Sequence, residues 1–439
     1  MLSEGLRYNC QPLRWPLLHL FTSQLAVEIP SLHDPQQLAA FYRDALLQDV
    51  VPFWLRHGLD HEQGGILTSL DRAGAVIDTD KSIWFQGRAA WMFATLYNHV
   101  EPHATWLSAA QSCLDFLERH AVGDDGKLYF SVTREGRPLR MRRYVYSESF
   151  AAIAAAALFR ATGSERARAS ALRYWQNYLR YSFDPALATP KTDPQTRPMR
   201  GIGPLMIAMV TAQELRLNLG EVVALGRTPT EWIAWCVDEI ERYFMKPERQ
   251  VLLETVGLQG EVLDHFDGRL LNPGHAIECA WFLLLESSIV RSPRMEQLGL
   301  QILDWMLARG WDHEFGGLYY FRDLDDKPIQ EYWHDMKFWW PHCEAIIATL
   351  LAWRLTGSER YATLHQQVHD WSFRHFPDPE QGEWFGYLHR DGTVSTTLKG
   401  NLWKGPFHLP RMLLWSWKLL DTEPTSLLAL SSLPPRRPD

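Results

Sequence analysis

The sequence predicts an all-α protein: helices paired into a closed barrel, with long β-hairpins on one rim. Three observations predict it. Apolar residues recur at three- and four-residue spacing near 36–57, 84–102, 104–121, 145–161, 164–182, 200–219, 228–246, 273–290, 293–309, 338–357, 358–375 and 407–421, which makes twelve helices. Thr162-Gly163-Ser164-Glu165-Arg166 returns as Thr356-Gly357-Ser358-Glu359-Arg360, so one helix–helix joint is used twice, a glycine ending one helix and a serine capping the next. Asp60-His61-Glu62-Gln63-Gly64-Gly65 returns as Asp312-His313-Glu314-Phe315-Gly316-Gly317 and as Asp378-Pro379-Glu380-Gln381-Gly382-Glu383. Each copy precedes strand-like alternation and a second turn, at Ala73-Gly74, Asp325-Asp326 and Asp391-Gly392, which is a hairpin signature.

In chain order, residues 1–34 read as an irregular arm, closed by Pro30 and the cap signal Ser31-Leu32-His33-Asp34. The barrel occupies 35–421. Several of its helices are joined by only a few residues, which makes them antiparallel neighbours. Every strong hairpin is followed by a lysine, then a tryptophan, then a helix: Lys81 to Trp84, Lys337 to Trp340, and Lys399 to Trp403. Arg88, Glu344 and His408 follow, 28, 32 and 30 residues after the aspartate that heads each repeat. Equivalent positions of a repeat array recur around one axis, so these three side chains should meet at one end. Weaker hairpins lie at 124–137 and 257–268, and the second should deliver His275 and Glu278 to the same end. Twelve paired helices with hairpins on one rim define an (α/α)6 barrel. The proline-rich tail, 422–439, reads as disordered.

Composition narrows the function. A net charge of -8 with no basic block argues against nucleic acid. Twenty tryptophans suit a cleft for sugars, whose C–H faces stack on rings, although tryptophan also fills space between helices. Five scattered cysteines, never in a Cys-x-x-Cys pair, fit a reducing, cytoplasmic setting without structural zinc. The apolar run Trp15–Phe21 is short and lacks a small-residue cleavage site, so no signal peptide is expected, and no run is long enough for a membrane span.

Asn272-Pro273-Gly274-His275 reads as a helix start, with Asn272 as cap and Pro273 at the first helical position. His275 then sits in the first turn, one face with Glu278, where the helix dipole favours a neutral, base-competent imidazole. Two histidines (His275, His408), two glutamates (Glu278, Glu344) and Arg88 suit proton abstraction beside a carbonyl: histidine supplies the base, arginine the stabilisation of an enediolate oxygen. A second histidine on the other face would return the proton with inversion. Two carboxylates alone would serve a glycosidase, but that reading leaves the histidine pair unexplained. The sequence has no Gly-x-Ser-x-Gly elbow, no phosphate loop and no His-Glu-x-x-His helix, so no metal is expected. Trp84, Lys404 and His342 are candidates for binding substrate. Their rival roles are core packing, a solvated charge and hydrogen bonding to backbone, respectively. Glu148, in Tyr146-Ser147-Glu148-Ser149-Phe150, reads as an orienting carboxylate.

These motifs resemble the N-acylglucosamine 2-epimerase (renin-binding protein) family. The resemblance rests on Lys81 to Arg88, Tyr146 to Phe150, Asn272 to Leu283, Gly310 to Phe321, Met336 to Glu344, Gly382 to Leu388 and Lys404 to Arg411, and spans roughly 36–421. It implies an (α/α)6 barrel that interconverts N-acetylglucosamine and N-acetylmannosamine. By that resemblance His275 and His408 exchange the C2 proton, Arg88, Glu278 and Glu344 bind the open-chain sugar or help to open its ring, and Trp84 and Lys404 line the pocket. Related barrels include cellobiose and mannose 2-epimerases and aldose–ketose isomerases acting on unmodified sugars, which is the alternative activity. Some of those carry a histidine on the sixth helix. Met199 to Met206 here has none, which favours the N-acyl branch. The resemblance also implies homodimers and, for animal members, activation by a nucleotide such as ATP that is not consumed. No cofactor is required for the chemistry itself.

Overall fold

The computed structural model describes residues 29–141, 144–187 and 192–421. Most of the expected arm (1–28) and the whole expected tail lie outside the described residues. Six helices, Ile83–His99, Tyr146–Thr162, Gly203–Leu219, Pro273–Val290, Trp339–Thr356 and His408–Asp421, form an inner ring. They are apolar nearly all round because they are enclosed on every side: every residue from Trp339 through Ala352 is buried. The outer ring is amphipathic. Glu165–Phe183, for example, buries Ala167, Ala171, Tyr174, Trp175 and Tyr178 along one stripe. The other outer members are the helical run over 35–57, Ala104–His120, the helix Pro229–Glu239 with its π-helical extension Ile240–Phe244, Pro293–Gly310 and Glu359–His375. The run over 35–57 packs on the last inner helix, His408–Asp421, which closes the (α/α)6 barrel. No helix among the described residues is long and apolar enough to cross a membrane. Cys113, Cys236, Cys279 and Cys343 are buried free thiols.

The repeated joint is built as expected in its glycines, which end their helices in the left-handed region (Gly163 φ 69°, Gly357 φ 65°). Its serines differ. Ser164 caps the N–H of Ala167, whereas the Ser358 side chain makes no cap bond. The shared element is the threonine: Thr162 and Thr356 accept from the N–H of Ser164 and Ser358 at 3.2 and 3.1 Å.

Each hairpin begins with two successive left-handed residues: Gly64 and Gly65, Gly316 and Gly317, Gly382 and Glu383. A Cβ on Gly65, at φ 77°, would lie 2.3 Å from Gln86 Oε1, so a side chain here is strained and displaces the bond that Gln86 makes to Ile66 N–H. The lysine after each hairpin returns to the aspartate that heads it. Lys81–Asp60, Lys337–Asp312 and Lys399–Asp378 are buried ion pairs of 2.9, 3.0 and 2.9 Å. A third member comes from the next hairpin around the ring: Arg134 reaches Asp60, Arg390 reaches Asp312 and Arg72 reaches Asp378. Burial alone would raise these carboxyls, but the two cations outweigh it and hold all three well below the usual carboxylate range. The stabilisation they supply is therefore present above about pH 4 and is lost as the pH falls towards their depressed values. These interlocks hold neighbouring hairpins in register and so build the rim that carries the site.

Candidate active site

The inner helices begin at the hairpin rim, and their first turns converge. Asn272 caps as the sequence predicts, its Oδ1 accepting from the N–H of His275 at 3.1 Å. The His275 ring reaches back to Glu254, with Nδ1 3.2 Å from both carboxylate oxygens. Glu254 is held by its own backbone, its carbonyl accepting from Ile202 N–H at 3.0 Å beside the two-residue ladder of Thr255–Val256 on Arg200–Gly201. Burial works against the imidazolium, but Glu254, reinforced by Glu278 and Glu344, outweighs it and raises the His275 pKa. The expectation of a neutral His275, drawn from the helix dipole, is thereby corrected: a carboxylate in contact dominates partial charges at a helix end.

His408 is the opposite case. It opens the last inner helix, buried, with Nδ1 2.7 Å from Glu344 Oε1. Desolvation first, then the nearby Arg411 and Arg88, push its pKa well below the ordinary value. A neutral imidazole that donates Nδ1–H to Glu344 leaves Nε2 with its lone pair. Glu344 is engaged through both oxygens: Oε1 also accepts from Arg411 Nη2 at 2.6 Å, and Oε2 from Trp281 Nε1 at 2.8 Å. The same Arg411 nitrogen donates to Glu278 Oε1 at 2.7 Å. Glu278, Glu344 and His408 bring ligand-type atoms within 4.8 Å of one another, and the cation they converge on is this guanidinium. Trp340 lies against both histidines, its ring 5.0 Å from His275 and 5.7 Å from His408.

Arg88 points into the same cluster. Its guanidinium carbon is 4.1 Å from the centre of the Phe150 ring and 4.6 Å from that of Phe407. Burial lowers its pKa to about 9, with Glu278 acting in the opposite sense. Trp84 packs among Phe130, Tyr146, Phe150 and Trp403, and the Arg88 guanidinium carbon lies over its ring at 5.6 Å.

Two expected substrate-binding residues are spent on the fold. His342 Nε2 accepts from Leu318 N–H at 2.8 Å and Nδ1 donates to the Phe338 carbonyl at 2.7 Å, which leaves neither nitrogen for a ligand. Burial lowers its pKa to about 3. Lys404 Nζ is buried on Glu383 Oε2 at 2.6 Å and on the Lys399 carbonyl. Glu383 replaces the second glycine of the repeat, and Lys404 answers that replacement. Glu148 orients as expected, accepting from Leu128 N–H at 2.8 Å. His342, Glu148 and Gln86 thus do one job on three inner helices: each catches the residue of its hairpin that forms the β-bridge, Leu318, Leu128 or Ile66. Because Gln86 does this with an amide, His342→Gln is expected to keep catalytic turnover within about threefold of the parent, a difference under ~1 kcal/mol. Steady-state kinetics of that variant check it.

Glu254, Arg411, Trp281 and Trp340 were not singled out from the sequence. Arg411 and Trp281 each follow a chosen residue, His408 and Glu278, by three positions on the same helix face, a spacing that could have flagged them. Glu254 sits in an irregular stretch with no local signal.

The fold and the site define an (α/α)6-barrel protein in which two carboxylate-paired histidines, His275 and His408, meet at the first turns of the inner helices. A solved structure with this fold is that of cellobiose 2-epimerase from Bacillus thermoamylovorans B4167, with a TM-score of 0.76, 19% identity, and coverage of 87% of this chain and 99% of that one. The chain belongs to the N-acylglucosamine 2-epimerase (GlcNAc 2-epimerase) family, whose sequence model matches residues 64–405. It is 38% identical over 408 residues to the N-acylglucosamine 2-epimerase of Bos taurus, covering 89% of this chain and 93% of the relative. It is 38% identical over 384 residues to that of Homo sapiens, covering 85% and 88%.

Proposed function

We propose that this protein interconverts N-acetyl-D-glucosamine and N-acetyl-D-mannosamine by moving the C2 proton of the open-chain sugar between two histidines. The observation that carries the reading is their opposite tuning: His408, seated on Glu344, is held neutral by burial and by Arg411 and Arg88, while His275 is biased towards the imidazolium by Glu254. A pair poised as one base and one acid suits a step in which one takes a proton and the other gives one. His408 Nε2 removes the C2 proton from the epimer that presents it. The C2–H electron pair enters the enediolate, and charge accumulates on O1 beside Arg88. His275 then delivers its proton to C2, and the C1 carbonyl re-forms. Exchange with water returns both histidines to their starting states. The chain itself supplies every acid, base and cation of this sequence.

N-Acetylmannosamine incubated in heavy water is expected to give N-acetylglucosamine carrying deuterium at C2. Product without that label overturns the mechanism. Running free mannose in parallel, with and without ATP, decides between epimer and ketose as the product of unmodified sugars.

A further inference from the structure

The site holds two arginines, and they are treated differently. Arg411 takes both carboxylates, Glu278 and Glu344. Arg88, although close enough to feel Glu278, Glu344 and Arg411, is hydrogen-bonded to none of the carboxylates among the described residues; its Nε, like that of Arg411, is buried without a partner. A buried cation normally secures a counter-ion, so something must keep it from one. Phe407 stands in the place to do so. Its ring centre is 4.6 Å from the Arg88 guanidinium and 4.7 Å from that of Arg411. Phe150 covers Arg88 at 4.1 Å and itself packs on Phe407, with ring centroids 5.8 Å apart. Stacking on rings offsets part of the cost of burying the guanidinium without occupying its in-plane donors.

We infer that Phe407, seconded by Phe150, is a positioning residue that separates the two arginines. On this division Arg411 neutralises the resident carboxylates, and Arg88 is reserved, with its donors open, for the oxygen that becomes anionic when the C2 proton leaves. The inference rests on the epimerase reading and adds to it a spacer that exchanges no proton itself, its ring also lying edge-on to His408 at 5.1 Å between centroids. Without the ring, Arg88 can settle onto Glu278 or Glu344, and the developing charge loses a preorganised donor.

The test compares Phe407→Leu with Phe407→Tyr, reading kcat, KM and the primary isotope effect with sugar deuterated at C2. Phe407→Leu is expected to lower kcat about a hundredfold, as a displaced oxyanion donor does, with KM changed less than about threefold. Its C2 isotope effect should grow, because proton abstraction becomes more strongly rate-limiting. Phe407→Tyr keeps the ring and should retain most of kcat. If Phe407→Leu does not fold, Phe150→Leu reads the same three quantities. A leucine variant that keeps parental kcat and isotope effect overturns the inference, as does a tyrosine variant that falls as far as the leucine one. Failure of the parent protein to exchange C2 hydrogen in any N-acetylhexosamine would instead overturn the function proposed above, so the two failures are separate.

Discussion

His408→Asn is expected to lower epimerisation by about 10²- to 10⁴-fold, the contribution of a positioned proton-transfer group, while leaving the fold intact. The buried Glu344 keeps Arg411 and Trp281 as partners, so no carboxylate is orphaned. Half of the chemistry should survive, and its pH dependence identifies the other half. His275 can still remove the C2 proton from the epimer that faces it, but only when it is deprotonated. Its pKa is raised by Glu254, so the free base appears only as the pH rises through that raised value. The variant should therefore wash deuterium into one epimer without inverting it, and faster at alkaline than at neutral pH. The parent should show a bell: its rate declines on the acid side as His408, with its depressed pKa, takes up a proton, and on the alkaline side as His275 loses one. Proton NMR of the C2 position in heavy water measures both effects. Exchange in both epimers, or undiminished inversion, would remove His408 from the reaction.

The helical barrel was legible because periodicity and repetition are properties of short stretches. Residues 338–358, for example, carry their apolar pattern, their closing glycine and the Thr-Gly-Ser joint within one window. The rim cluster was legible through the Asp-to-Lys repeat, although its cause was not. Only the folded hairpins show that Lys81, Lys337 and Lys399 return to their own aspartates while an arginine arrives from the hairpin alongside. What escaped was partnership across the ring. His342 and His408 both open inner helices behind similar hairpins, and nothing local tells a histidine that ties down backbone from one bonded to a carboxylate 64 residues away. The charge state of His275 escaped for the same reason, since Glu254 lies 21 residues upstream in an irregular stretch.

Arg411→Leu is expected to have the largest effect on stability. The guanidinium is the common donor to Glu278 and Glu344, and its side chain is only 4% exposed. The Coulombic attraction and the hydrogen bonds disappear together, and two carboxylates are left facing each other, Glu344 fully buried and Glu278 only 12% exposed. Removing one partner of such a buried set costs about 3–5 kcal/mol, against under about 1 kcal/mol for a pair on the surface. The midpoint of chemical denaturation should fall accordingly. Activity should respond in a particular direction as well. After desolvation, Arg411 is the largest cause holding the His408 pKa down, so its loss lets that pKa rise and moves the acid limb of the rate profile to higher pH. Adding Glu278→Gln to Arg411→Leu removes one of the two orphaned charges and should recover part of the stability, although Glu278→Gln alone is destabilising because it breaks the 2.7 Å contact with Arg411. Additive losses in that double-mutant cycle, or a single variant within ~1 kcal/mol of the parent, would mean that water reaches these carboxylates and that Arg411 is not what holds them.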